Sequence, residues 1–337
     1  MLSCLWLSVL LPLGLITLGC NHRSGQSQPV RMVVAGTPSN LSYLPHALAQ
    51  ELKLYEKEGV PVTVDAVPGG TKALQALIGG SADVIAGYYD HCIRVAAQGQ
   101  TIQSFVTMTR YPGNVIILSP SASRNKQTIQ DLKHPLIGVS DQWSQSHLFL
   151  NYVLIRHGLA PTDVTTITTG TQPAALASLE HGKLDAWSGF DPGVTQLQKR
   201  HPLVRILVDA RTQKGVREIF GVDEYPGAVL YARANWLQQH PEIAGQLARA
   251  IQNSLRWIHE RSPDQIMEHV PAAYFGNDRA TYREALANSI AMYSIDGRMP
   301  AQGPEAVRNT VAASLENVRK AQIDLAKTYT NEFLPRR

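Results

Sequence analysis

Short β-branched runs and stretches of helical periodicity take turns along most of this chain. Residues 30–35 (Val-Arg-Met-Val-Val-Ala) read as a strand that ends on Gly36-Thr37-Pro38-Ser39-Asn40. Leu44, Ala47, Leu48 and Leu52 then recur at helical spacing within 43–54. A second strand at 60–67 closes on Pro68-Gly69-Gly70, and Leu74, Leu77 and Ile78 share one helical face before Gly79-Gly80. A third strand follows at 83–87, with a helix opening near Asp90. After Val115-Ile116-Ile117-Leu118 and a polar stretch to Lys126, the same logic resumes. Strands at 136–139, 164–167, 184–187 and 204–208 are interleaved with helices at 144–157 and 173–181. A strand at 227–232 carries the chain back, and from Asn235 onward nearly everything is helical. Such a pattern predicts an α/β fold with largely parallel sheets. It divides into two lobes: 30–118 plus 229–337, and 119–228. The apolar stripe Val307, Val311, Leu315, Val318 and Leu325 is expected to pack on the first lobe.

The length of 337 residues fits one large or two modest domains. Charged residues make up 17%, below the roughly one quarter typical of soluble domains. The net charge is +4, from 31 basic and 27 acidic residues with no dense basic patch. This excludes a charge-driven disordered chain and argues against a nucleic-acid partner. No Gly-x-Ser-x-Gly elbow, Walker loop, Gly-x-Gly-x-x-Gly or His-Glu-x-x-His motif is present. His91-Cys92 is too small a cluster for a metal, so neither metal nor cofactor is expected.

The N-terminus is apolar over 5–18, short of the ~20 residues a bilayer span needs, and Pro12 and Gly14 interrupt it. Residues 1–19 therefore read as a signal peptide. Thr17-Leu18-Gly19-Cys20 resembles a bacterial lipobox, which makes Cys20 the lipidated first residue of the mature chain. Residues 20–29 form a polar flexible tether. Of the three cysteines only Cys92 then remains, and its apolar setting marks it as a small buried hydrophobe.

In open α/β sheets, ligands sit beyond the carboxyl ends of the strands, where loops and helix N-termini meet. Seven loops qualify here, and their hydroxyls can bind without adding charge: Thr37, Ser39, Thr71, Ser144, Ser146 and Thr171. Gly70 lies in another of these loops, Gly69-Gly70-Thr71. Tyr43, Tyr88, Tyr89, Tyr111, Trp143, Trp187 and Phe190 fall on the same loops and can stack on a flat ligand. Asp90 and Asp191 would repel an anion and so point to an amine, a ring N–H or a zwitterion, while Arg110 could answer an anion. Each of these residues also has a purely structural reading, as a helix cap or as core at a strand end.

Four segments in order resemble the nitrate/taurine/sulfonate class of ABC-transporter substrate-binding proteins, which includes thiamine-pyrimidine binders. They are Gly79-Gly80-Ser81-Ala82-Asp83-Val84-Ile85-Ala86-Gly87, then 136–146 with its Ser-rich end, then Gly182-Lys183-Leu184-Asp185-Ala186-Trp187 with Asp191-Pro192, and Ala234-Asn235-Trp236-Leu237 running into Pro241-Glu242. The resemblance implies a type II periplasmic-binding-protein fold: two α/β lobes, a ligand cleft and a two-strand hinge. It further implies a monomer that captures a small molecule by lobe closure and delivers it to an ABC permease, without catalysis. The ligand classes left open are sulfonates, taurine-like zwitterions, nitrate-like anions and pyrimidines. The expected location is the cell envelope, in the periplasm or on the outer face of the cytoplasmic membrane, with attachment through lipid only. Two alternatives remain: an enzyme of menaquinone or pyrimidine biosynthesis on the same scaffold, and a ligand sensor for a membrane kinase.

Overall fold

The computed structural model describes residues 28–337 apart from Lys133, Thr171 and Arg337. The expected signal peptide, the tether up to residue 27 and Cys20 lie outside the described residues. Ten strands form two five-stranded sheets. In chain order they are β1 (Val30–Ala35), β2 (Val62–Val67), β3 (Val84–Tyr88), β4 (Ile102–Thr107), β5 (Val115–Leu118), β6 (Leu136–Val139), β7 (Thr165–Thr168), β8 (Ala186–Gly189), β9 (Ile206–Asp209) and β10 (Ala228–Arg233).

The two sheets share one plan. The first runs β2-β1-β3-β10-β4 and the second β7-β6-β8-β5-β9. In each, three parallel strands meet one antiparallel strand that has just arrived from the other sheet. The chain crosses first between β4 and β5 and returns between β9 and β10. The two crossings lie side by side: Gly113 N donates to Ala210 O at 3.2 Å, Ala210 N to Asn114 O at 2.8 Å and Tyr225 N to Arg110 O at 2.8 Å. This is the two-lobed periplasmic-binding fold with a paired hinge. The placement of Val115–Leu118 at the end of the first lobe needs correction. Those residues pair with β8 and β9, so the chain has already crossed when it reaches Val115.

Burial on both faces explains the strand sequences. β1 is buried at every position but Arg31, as a central parallel strand covered by helices requires. In β5, Ile116 and Leu118 enter one core cluster and Val115 and Ile117 another, one on each face of the second sheet. Cys92 is fully buried in the first-lobe core. β4 has no clear pattern of its own. It forms the edge of the first sheet, and the C-terminal segment covers it: Ser104 N donates to Thr328 O at 3.1 Å and Thr330 N to Ser104 O at 2.8 Å.

The C-terminal helices reach further than the sequence stripe indicates. The Gly303–Ser314 helix, with Val307 and Val311 buried, packs on the Asp90–Ala96 helix of the first lobe and also on Gln145–Arg156 of the second. The Arg279–Ser289 helix packs on Gly193–Arg200 of the second lobe.

Candidate functional site

A cleft opens between the lobes. Its first wall comes from the loops after β1 (Gly36, Thr37, Asn40, Tyr43) and β2 (Gly69, Gly70), with Tyr88 and His91 from the end of β3 and beyond. Its second wall comes from Ser140, Ser144, Gln145 and Ser146 after β6, Thr169, Gly170 and Gln172 after β7, and Trp187, Ser188 and Phe190 at β8. Every one of these loops leaves the carboxyl end of a parallel strand, where this topology leaves a crevice. No Asp, Glu, Lys or Arg lines the cleft among the described residues.

The aromatic side is already organised. Tyr43 donates its hydroxyl to Ala35 O at 2.9 Å, and Tyr88 donates to Pro112 O at 3.0 Å. Both hydroxyls are thus engaged, and what the tyrosines offer a guest is ring surface. The Tyr43 and Tyr88 rings meet edge-on at 6.1 Å, and Tyr88 reaches Phe190 across the cleft at 5.7 Å. Trp187 fits because its neighbours are glycines: a Cβ at Gly189 would lie 2.2 Å from its ring and one at Gly193 2.7 Å.

Gly70 is required in the same way. A Cβ there would stand 2.5 Å from the His91 ring, so only glycine lets the start of the Gly70–Ile78 helix close on that imidazole. His91 Nδ1 is bonded to Tyr231 Oη at 2.7 Å. Burial, with Arg94 nearby, pushes its pKa down to about 3, which keeps the ring neutral.

Across the cleft, Ser140, Ser144 and Ser146 form a triangle of hydroxyls 2.9–3.0 Å apart at the head of the Gln145–Arg156 helix. Ser144 occupies the cap position yet donates its hydroxyl to Asp141 O at 2.7 Å, leaving the amides of the first turn free of a side-chain cap.

Of the expected site residues, Thr37, Tyr43, Gly70, Tyr88, Ser144, Ser146, Trp187 and Phe190 therefore share the cleft. Others do not line it. Asp191 needs correction most plainly. Its buried carboxylate already accepts from Thr195 N (3.0 Å), Thr195 Oγ1 (2.8 Å), Arg211 Nη1 (2.7 Å) and Ser289 Oγ (2.9 Å), so it ties the second lobe to the C-terminal helices. Asp90 lies behind the tyrosine wall, 3% exposed, with Arg94 Nη1 at 3.7 Å. Burial lifts its pKa to about 6 against the opposing pull of Arg94. Tyr89 is buried against Thr328, and Tyr111 is buried in the crossing beneath the Arg110 guanidinium. Arg110 itself answers Ala291 O and Glu224. Ser39 offers its carbonyl to Tyr282, and Thr71, next to Gly70 but outside the lining, keeps a buried hydroxyl with no hydrogen-bond partner. Trp143, 45% exposed at a φ of 60°, stacks on His147 at 5.1 Å. Thr171 lies outside the described residues.

Residues that the sequence reading passed over include Asn40, His91, Ser140, Gln145, Thr169, Gln172 and Ser188. Most stand one or two positions from a predicted neighbour, in loops already recognised as ligand-facing. His91 is the exception. Its place depends on Gly70 and Tyr231, far away in sequence.

Residues 26–272 match the model of the NMT1-like family. A solved Bordetella bronchiseptica RB50 protein is 33% identical, with a TM-score of 0.85 over 91% of this chain and 96% of its own. The alkanesulfonate-binding protein SsuA of Xanthomonas axonopodis pv. citri, solved bound to MOPS, superposes with a TM-score of 0.72 at 19% identity, over 90% and 98% of the two chains. The riboflavin-binding protein RibY of Chloroflexus aurantiacus is 24% identical over 91% of this chain and 86% of its own. The chain belongs to the NMT1-like family and shares its fold with ABC-transporter substrate-binding proteins of the nitrate/sulfonate class.

Proposed function

We propose that this protein is the ligand-capturing component of an ABC importer, holding a small molecule between its lobes and handing it to a membrane permease. One observation carries the reading: loops from the carboxyl ends of both sheets converge on a single uncharged cleft, with aromatic rings and hydroxyls on its walls. Rings shed water from a flat guest and hydroxyls orient it. Relatives named for binding riboflavin and alkanesulfonate support the same kind of role. The lipobox-like Cys20 and the polar tether fit a protein held at the outer face of the cytoplasmic membrane by lipid and working as a monomer.

Among the described residues, the cleft lining holds no carboxylate that could serve the enzyme alternative as a base. Asp191 is saturated, Asp90 stands behind the wall, and His91 is a weak base with its pKa near 3.

Thermal denaturation of the purified protein against pyrimidines, flavins, sulfonates, nitrate and amino acids tests the reading. A true ligand at a hundredfold its Kd stabilises by about 2.7 kcal/mol. Turnover of a bound compound without any permease would contradict it.

A further inference from the structure

Among the described residues whose buried side-chain oxygens or nitrogens have no hydrogen-bond partner, only Gln145 lines the cleft. Thr71 Oγ1 follows Gly70 at the start of its helix without lining the cleft, Asp90 stands behind the tyrosine wall, and His46, Asn114, Asn151 and Ser254 are buried elsewhere. Gln145 is 8% exposed and opens the Gln145–Arg156 helix beside the serine triangle. Its Oε1 is an acceptor removed from water with nothing donating to it, an arrangement that folded proteins avoid unless a partner arrives.

The neighbouring serines do not fill that role. Ser144 donates to Asp141 O and Ser188 to Ser146 O, and the remaining hydroxyls are engaged with one another. Nor does the cleft present a cation to balance a buried ionic ligand.

We propose that Gln145 is a specificity-determining residue, whose Oε1 accepts a hydrogen bond from an N–H or O–H group of an uncharged, flat ligand. This rests on the reading of the cleft as a ligand site and narrows it. Nitrate and simple sulfonates carry only acceptors. Turning the amide to offer them Nε2 still leaves Oε1 unpaired, and leaving it as it is sets lone pair against lone pair. A heterocycle bearing a ring N–H or an exocyclic amine satisfies Oε1 while its faces meet Tyr43, Tyr88, Trp187 and Phe190.

Titration calorimetry on the full protein tests this with two probe sets. The donor-bearing set is riboflavin and 4-amino-5-hydroxymethyl-2-methylpyrimidine; the acceptor-only set is methanesulfonate and nitrate. The expected result is binding from the first set only, weakened tenfold or more by Gln145→Leu. Gln145→Glu, which retains the acceptor, should lose less than Gln145→Leu, and it keeps the test open if the leucine variant fails to fold. Methylating the donor nitrogen of the bound probe should reproduce the loss in the wild type and add nothing in Gln145→Leu. Tighter binding of methanesulfonate or nitrate, or donor-bearing probes bound equally well by Gln145→Leu, overturns the inference and leaves the ligand-site reading intact. Binding of no probe in either set overturns the ligand-site reading itself.

Discussion

Asp90 keeps a carboxyl where its charge is poorly tolerated. Tyr43, Tyr88, Tyr225, Tyr231 and Cys92 surround it, and Arg94 is its countercharge. Its folded-state pKa of about 6 exceeds the unfolded value of 3.8. Between those values the folded protein holds a proton that the unfolded chain has lost, so this group's contribution to stability declines as pH rises from about 4 to 6. His91 acts in the opposite sense. With its folded pKa near 3, its contribution is lost as pH falls below about 6.5. Asp90→Asn should therefore be more stable than the wild type at pH 7, by about 2–3 kcal/mol, with the gain vanishing near pH 4. Urea melts at the two pH values check this; an equal effect at both would show that burial does not raise this carboxyl. The sequence marked Asp90 and Asp191 alike, because each follows a strand and heads a helix. What separates them is who approaches from afar: Arg211 and Ser289 reach Asp191, whereas only Arg94 reaches Asp90.

Among the elements, β8 and the helix after it show how local sequence shapes the floor of the cleft. The sequence places a strand at 184–187, but the reason for Gly189 and Gly193 is invisible until Trp187 folds over them. Gly189→Ala must push against that ring at 2.2 Å and should cost about 1–3 kcal/mol of stability by overpacking. It should also weaken ligand binding, because Trp187 lines the cleft. Paired thermal melts and titrations check both effects, and an unchanged affinity would remove Trp187 from the site. Elements bounded by turn residues, such as β1 before Gly36-Thr37-Pro38 and the Gln145–Arg156 helix after its Ser-rich loop, are legible in the sequence. β4 was not, because its pattern is that of an edge completed by residues 328–330, more than two hundred positions away. The lobe of β5 is hidden for a related reason: an apolar strand looks the same in either sheet, and its partners β8 and β9 assign it.

Over the whole molecule, two similar sheets exchange one strand each, and the crossings run together as a hinge. The C-terminal helices add a second connection. Gly303–Ser314 touches both lobes, and Ser289 and Asn288 bond to Asp191 and Thr195 of the second. This strap joins the two lobes alongside the paired crossings. Arg94 Nη1, which donates to Trp143 O at 2.9 Å, is a further contact across the cleft edge. Hydrogen exchange followed with and without a saturating ligand reads this arrangement directly. One guest should slow exchange at once in the loops of both walls, around residues 36–43 and 69–72 of the first lobe and 140–147 and 169–172 of the second. Protection confined to a single lobe, or centred away from these loops, would contradict it.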